Sequence, residues 1–169
     1  MTSTRAPARR RTVAAALALL GCACAPQPIV SRGDASPVGD TDEAIAEFVA
    51  LANGARRDAG CAGTLIWHAD VAAVALAHSR DMSARDYFSH VDQLGRTPLD
   101  RVQAATIPVT AVAENIALGG RSAATVFEGW MGSPGHRRNL LDCRFTHHGV
   151  GLADGYWTHL LVRLAPPLR

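Results

Sequence analysis

Four side chains have the types and settings that chemistry needs: His90, Glu114, Ser133 and His136. Glu114 stands beside Asn115 at the head of an apolar run, so a carboxylate and an amide arrive together. Ser133-Pro134-Gly135 forms a turn that opens onto His136-Arg137-Arg138-Asn139. Upstream, Tyr87-Phe88-Ser89-His90 sets a second imidazole beside two aromatic rings. Two imidazoles and a carboxylate match the donor set of a catalytic zinc site. His90 and His136, with Glu114, are therefore candidate ligands for a divalent metal, Zn or Mg. Ser133, His136 and Glu114 can also be written as a hydrolase triad. Residues three apart on one helical turn do not by themselves bring hydroxyl and imidazole into contact, and no oxyanion donors are evident, so the triad is disfavoured.

The elements that must hold these groups follow from periodicity and capping. Asp40 with Glu43 three residues on forms a capping box. Ile45, Phe48, Val49 and Ala52 then keep a helical period that ends near Gly60. Asn53 is expected to bond backbone at that helix end. Leu65-Ile66-Trp67 is a short apolar link. Asp70 suits an N-cap for a second helix through Val71, Val74, Ala75 and Ala77 to about Ala84, on which His78 and Met82 share one face as packing residues. Thr97 and Pro98 cap and open a short helix over Leu99 to Ala104. Ile107 to Ala113 alternates β-branched residues and reads as an edge strand with Pro108 near its start. Ser122 caps a helix that turns Ala123, Val126, Phe127 and Trp130 inward. Ser133 caps the next, Pro134 takes its first position, and His136 lies in the opening turn, where the helix dipole disfavours protonation. Arg144 to Leu152 and Tyr156 to Val162 form a hairpin around Asp154-Gly155. His147 and His148 point to opposite sheet faces and cannot act as one site.

Charge and composition bound the partners. Apolar residues make up 48% of the 169, enough for a packed core, and 19% charged argues against general disorder. The formal charge is +2, but four of the 17 arginines precede Cys22, leaving 13 basic against 15 acidic residues. The basic bias thus belongs to the N-terminal segment, and the remainder gives no reason to expect nucleic acid. Arg9-Arg10-Arg11 followed by the apolar run Val13 to Leu20 has the layout of an export signal, too short to span a bilayer. One reading cuts the signal after Ala23-Cys24-Ala25 and yields a secreted protein. The favoured reading takes Leu19-Leu20-Gly21-Cys22 as a lipoprotein box, with residues 1–21 removed and Cys22 lipidated, because only a thiol is nucleophilic enough to form the thioether. Residues 22–40 are rich in Pro and Gly and read as a tether; about 18 flexible residues average roughly 25 Å end to end. Residues 41–165 are the folded domain. An exported compartment permits disulfides, and Cys61 and Cys143 are expected to pair.

Taken together, these blocks resemble the bacterial branch of the CAP superfamily (cysteine-rich secretory proteins, antigen 5 and pathogenesis-related 1 proteins, or SCP domains). The likeness runs from about Ala46 to Val162. It includes Leu51-Ala52-Asn53 with its following arginines, Leu65-Ile66-Trp67, His90, Glu114-Asn115 and Ser133-Pro134-Gly135-His136. The resemblance implies an α+β fold: an α-β-α sandwich with a small antiparallel sheet between helical layers. It also implies a central cleft in which His90 and Glu114 match the first His and the Glu of the family's tetrad, and some relatives bind a divalent metal there. The second tetrad Glu falls at Ser133, and the second His at Tyr156, so half of the eukaryotic tetrad is missing. His136 is the bacterial addition, expected to point into the same cleft.

The function expected on this footing is an extracytoplasmic, lipid-anchored, non-catalytic domain. It would bind a small molecule, a lipid or a cell-envelope component in a cleft of His90, Glu114, Ser133 and His136, with the membrane as a partner through its anchor. The alternative is a metal-dependent hydrolase acting on peptide or envelope polymer. A third reading is a structural protein whose cleft is idle.

Overall fold

The computed structural model of the chain describes residues 38–119 and 122–166. The expected signal peptide, Cys22 and the tether up to residue 37 lie outside the described residues.

Among the described residues five helices and four strands follow in order: α1 (Val38–Asp58), β1 (Ile66–Trp67), α2 (Ala69–Ala84), α3 (Pro98–Ala104), β2 (Val109–Leu118), α4 (Ala123–Gly132), α5 (Pro134–Leu141), β3 (His147–Ala153) and β4 (Tyr156–Leu164). The strands form one sheet in the order β1-β3-β4-β2. β2 and β3 both run antiparallel to β4, whereas the two-residue β1 is parallel to β3. The sheet is thus antiparallel apart from this short edge.

Helices cover both faces of the sheet, which makes the architecture the expected α-β-α sandwich. On one face Phe48 and Ala52 of α1 and Ala123, Val126 and Trp130 of α4 pack with Leu140 of α5 over Val150 and Trp157. On the other, Val71 and Ala75 of α2 and Val102 of α3 pack with Ile107 over Leu160 and Val162. Central β4 is buried without interruption from Trp157 to Val162, because a strand covered on both sides has no solvent face to mark with polar residues.

α2 lies against β3 at backbone distance. A Cβ on Gly149 would sit 2.1 Å from the amide nitrogen of Ala72, and one on Gly151 would sit 2.2 Å from that of Leu76. Both glycines are therefore required by close approach rather than by dihedral angle. The hairpin turn is the other kind of case: Asp154 and Gly155 have φ of 49° and 81°, as a two-residue turn matched to strand twist needs.

Two long-range ties fasten the end of α1 to the later part of the chain. The Arg56 guanidinium is buried and donates to the carbonyls of Leu140 (2.8 Å), Asp142 (2.9 Å) and Phe145 (2.9 Å). It thus satisfies carbonyls that the end of α5 leaves without helical partners. Cys61 and Cys143 are disulfide-bonded, as expected, across 82 residues. By chain entropy that closure contributes about 4–5 kcal/mol. Asn53 does bond backbone, but across to the next segment: it accepts from the Leu65 amide at 2.7 Å.

Several boundaries differ from expectation. α1 begins at Val38, so Asp40 and Glu43 fall inside the helix rather than at its start. His68, not Asp70, occupies the N-cap of α2. Thr97 forms a full capping box with Asp100. β2 continues through Glu114-Asn115 to Leu118, because both side chains find buried partners beside the sheet. β3 starts at His147, three residues later than the sequence suggests.

The glycine contact is testable. Gly151→Ala forces backbone of α2 and β3 apart and is expected to cost at least about 3 kcal/mol. Urea unfolding of the variant beside the wild type measures it, and a difference below about 1 kcal/mol would show that the two elements can separate freely.

Candidate functional site

The site is assembled from β2, α3 and the loop between α2 and α3. Asp92 shapes that loop: its buried carboxylate accepts from the amides of Leu94 (3.0 Å) and Arg96 (2.9 Å) and from Arg96 Nε (2.8 Å). Burial alone would raise this carboxyl, but the bonds from Arg96 and Leu94 hold it below its ordinary value. His78 of α2, buried, donates Nε2–H to the Ser89 carbonyl at 3.0 Å and pins the loop from beneath. His90 follows at once on this braced segment.

Glu114 meets His90 from the strand. Its side chain is only 1% exposed, and Oε1 accepts from His90 Nδ1 at 2.8 Å. Oε2 accepts from Arg101 Nη2 at 2.6 Å. Arg101, itself buried, also donates Nη1 to the carbonyls of His90 (2.9 Å) and Arg96 (3.0 Å). One guanidinium thus ties carboxylate, imidazole segment and loop into a unit. The His90 ring is 49% exposed and lines a recess of about 330 Å³ together with Glu114, Thr97, Pro98, Leu99, Val112 and Ala113.

The neighbouring position faces the other way, as strand alternation requires. Asn115 donates to the His136 carbonyl at 3.1 Å, and Asn139 donates to Asn115 Oδ1 at 2.9 Å and to the Glu114 carbonyl at 3.3 Å. The Glu-Asn pair therefore joins both helical layers through adjacent residues. His136 lies in the opening turn of α5, with its ring 6.3 Å from that of Trp130. Burial lowers its pKa, and the nearby His90 lowers it further. The depression of His136 thus comes from desolvation and a like neighbour, where the sequence had suggested the helix dipole.

Ser133 sits at the N-cap of α5 without a capping hydrogen bond from its side chain. Its amide and carbonyl are used in the backbone, donating to Trp130 and accepting from Arg137. Among the described residues no hydrogen bond joins the Ser133 hydroxyl to His136 or Glu114, so the disfavoured triad is not assembled. Tyr156 pairs with Leu118 at the far end of β2.

The metal expectation meets a specific obstacle. Both oxygens of Glu114 are engaged, one by a guanidinium, and His90 Nδ1 is turned to that same carboxylate. No group of three or more His, Cys, Asp or Glu side chains among the described residues is placed to hold a metal ion. The donor set does not fit a resident divalent cation.

Two features escaped the sequence. Arg101 gave no signal, since a single arginine on a seven-residue helix reads as surface. His148 and His159 form a buried pair, Nδ1 to Nε2 at 3.1 Å, both 0% exposed. His159 packs edge-on to Phe48 and stacks on Trp130. The signal for this pair was present: counting register outward from Asp154-Gly155 sets residues 148 and 159 diagonal on one face.

Comparison with known proteins agrees with this architecture. The family model described as the cysteine-rich secretory protein family (CAP) matches residues 49–159. The uncharacterized membrane protein YlbC of Bacillus subtilis is 36% identical over 99 residues, 59% of this chain and 29% of the relative. The uncharacterized protein YkwD of the same organism is 37% identical over 90 residues, 52% of this chain and 35% of the relative. The chain thus spans about a third of the length of the curated relatives it matches. A crystal structure of an extracellular SCP-domain protein from Bacillus anthracis superposes with a TM-score of 0.70 at 33% identity, covering 73% of this chain and 41% of that one. An outer surface protein of Borrelia burgdorferi shares the fold at a TM-score of 0.67 and 17% identity, covering 73% of this chain and 94% of that one.

The geometry separates two substitutions that look equivalent in the sequence. Glu114→Ala strands a buried guanidinium and is expected to destabilise by about 3–5 kcal/mol. His90→Ala removes a half-exposed partner and should cost less than about 1 kcal/mol. Equal losses in denaturant unfolding would contradict this division of roles.

The histidine pair sets a pH dependence. Burial drives His148 down to about 4, with Arg56 and His147 adding repulsion, and drives His159 well below its ordinary value, with His148 and Arg56 adding to it. In the unfolded chain both rings take up protons near pH 6.5. Between about pH 6.5 and 4 the unfolded state therefore binds more protons than the native one, and stability falls as the solution is acidified. A loss of roughly 2–3 kcal/mol between pH 7 and 4.5 is expected from His148 alone. His148→Gln should flatten the slope; an unchanged slope would refute the assignment.

Proposed function

Since this chain belongs to the cysteine-rich secretory protein (CAP) family, we propose that it is an extracytoplasmic, lipid-anchored member that binds a small molecule, a lipid or an envelope component and catalyses no reaction. One observation carries the reading. The Arg101–Glu114–His90 chain fixes an imidazole in the wall of a recess of about 330 Å³, where His90, Glu114 and Thr97 stand beside Pro98, Leu99, Val112 and Ala113. A few oriented polar groups set among apolar walls are the usual composition of a small-ligand site. The recess lies on β2, α3 and the loop before it; His136 of α5 does not line it but is near enough to His90 to feel its charge.

The compartment is supported from two directions. Relatives are described as extracellular, membrane and outer surface proteins. The Cys61–Cys143 bridge belongs to an oxidising environment. Attachment through Cys22 is our reading of Leu19-Leu20-Gly21-Cys22. The hydrolase alternative draws no support from the site, because the carboxylate a metal would need is already neutralised by Arg101.

Ligand capture tests the proposal. Full-length protein and its His90→Ala variant, purified side by side and extracted for mass spectrometry, should differ by one or more bound small molecules enriched on the wild type. Equal recovery on both would leave the recess without a role. Cys22→Ser should move the protein from the membrane fraction to the soluble one, and persistence at the membrane would remove the lipid anchor.

A further inference from the structure

The family likeness carries with it a divalent metal held between imidazoles and carboxylates. The groups nearest that role here are His90, His136 and Glu114, and their arrangement answers to a different cation. Glu114 is buried and both its oxygens are taken, Oε2 by Arg101 Nη2 at 2.6 Å and Oε1 by His90 Nδ1 at 2.8 Å. The Arg101 side chain is 6% exposed. It cannot swing aside freely, because its second terminal nitrogen holds the carbonyls of His90 and Arg96 at 2.9 and 3.0 Å. A divalent ion approaching Glu114 would meet a fixed positive charge across the same carboxylate and would have to displace one of two charge-assisted bonds.

We propose that Arg101 is the resident cation of this cleft. Its guanidinium supplies the positive charge that a metal supplies elsewhere, orients Glu114 so that one oxygen stays on His90 Nδ1, and excludes divalent metal from the site. Arginine suits the task where lysine would not. Its planar fork reaches a carboxylate and two carbonyls at once, and it remains charged when buried. The arrangement is a carboxylate–imidazole pair set by a third residue, with the exposed edge of the imidazole as its working surface. Arg101 is a positioning and selectivity residue and does not itself face the recess. The inference deepens the reading of the cleft given above but does not depend on the ligand: a cleft that captures no small molecule can still refuse metal.

Cobalt(II) is the probe, followed by its visible absorption on titration into the full-length protein. Wild type is expected to show no tetrahedral cobalt band that His90→Ala abolishes. Arg101→Gln, which removes the charge but keeps an amide donor, should bind cobalt(II) through His90 and Glu114 at least about tenfold more tightly than wild type. A His90-dependent band in the wild type would overturn the proposal. So would a folded Arg101→Gln variant whose cobalt affinity equals that of wild type. Should that variant not fold, the wild type alone decides through nitrogen-15 correlation spectra of the His90 ring. A His90 Nε2 resonance that stays unshifted in excess Zn²⁺ supports the assignment, and a Zn²⁺-induced shift of Nε2 to the metal-bound range refutes it, since metal on Nε2 would leave Nδ1–H in place.

Discussion

A carboxylate withdrawn from water in the middle of a strand has three options: it takes a proton, it finds a counter-charge, or it unfolds the strand. Glu114 finds Arg101, and much of the local structure can be read as the means of keeping that guanidinium in place. α3 is only seven residues long, but it begins with a full capping box on Thr97 and Asp100, so its register is fixed at the end nearest the site. Asp92 draws the preceding loop into a tight set of bonds, which presents the carbonyls of His90 and Arg96 to Arg101. The imidazole is then oriented twice, through its ring by the carboxylate and through its backbone by the arginine.

The opposite face of the sheet solves the same problem without ion pairing. Arg56 is as deeply buried as Arg101, yet it meets three carbonyls instead of a carboxylate. His148 and His159 bond one another as neutral rings within an aromatic shell of Phe48, Trp67 and Trp130. Desolvation holds both rings uncharged, and the guanidinium nearby reinforces that state. One layer of the sandwich thus stores a compensated pair of charges, and the other stores hydrogen-bonded neutral groups around a single cation. β2 joins them because Glu114 and Asn115, adjacent in the chain, belong to different layers.

The parts of this structure that local chemistry dictates were legible in the sequence. Thr97-Pro98 and Ser122 start helices where they should, Asp154-Gly155 makes the hairpin turn, and Cys61 and Cys143 find one another. The family likeness supplied the layered architecture, which periodicity alone would not have named. What stayed hidden was set by tertiary context. Asp70 is a better capping residue than His68 by type, but α2 starts two residues earlier than an Asp70 cap would set it, and lays its backbone on Gly149 and Gly151. Glu114 and Asn115 looked like the end of a strand because polar residues usually mark one, and only their buried partners carry the strand onward. Arg101 had no pattern to betray it, since nothing in a lone arginine says that a carboxylate thirteen positions later will need it.

The ties that fasten α1 are also a statement about time. Arg56 reaches partners 84, 86 and 89 residues further on, the disulfide spans 82, and β1 waits for β3. A chain made from its N-terminus therefore carries its first helix unsupported until the last third has emerged, and contacts of such long range form slowly. The sheet cannot close early either, because its central strand is the last to be synthesised. A polypeptide built in this order can complete its shape only once its final strand is available.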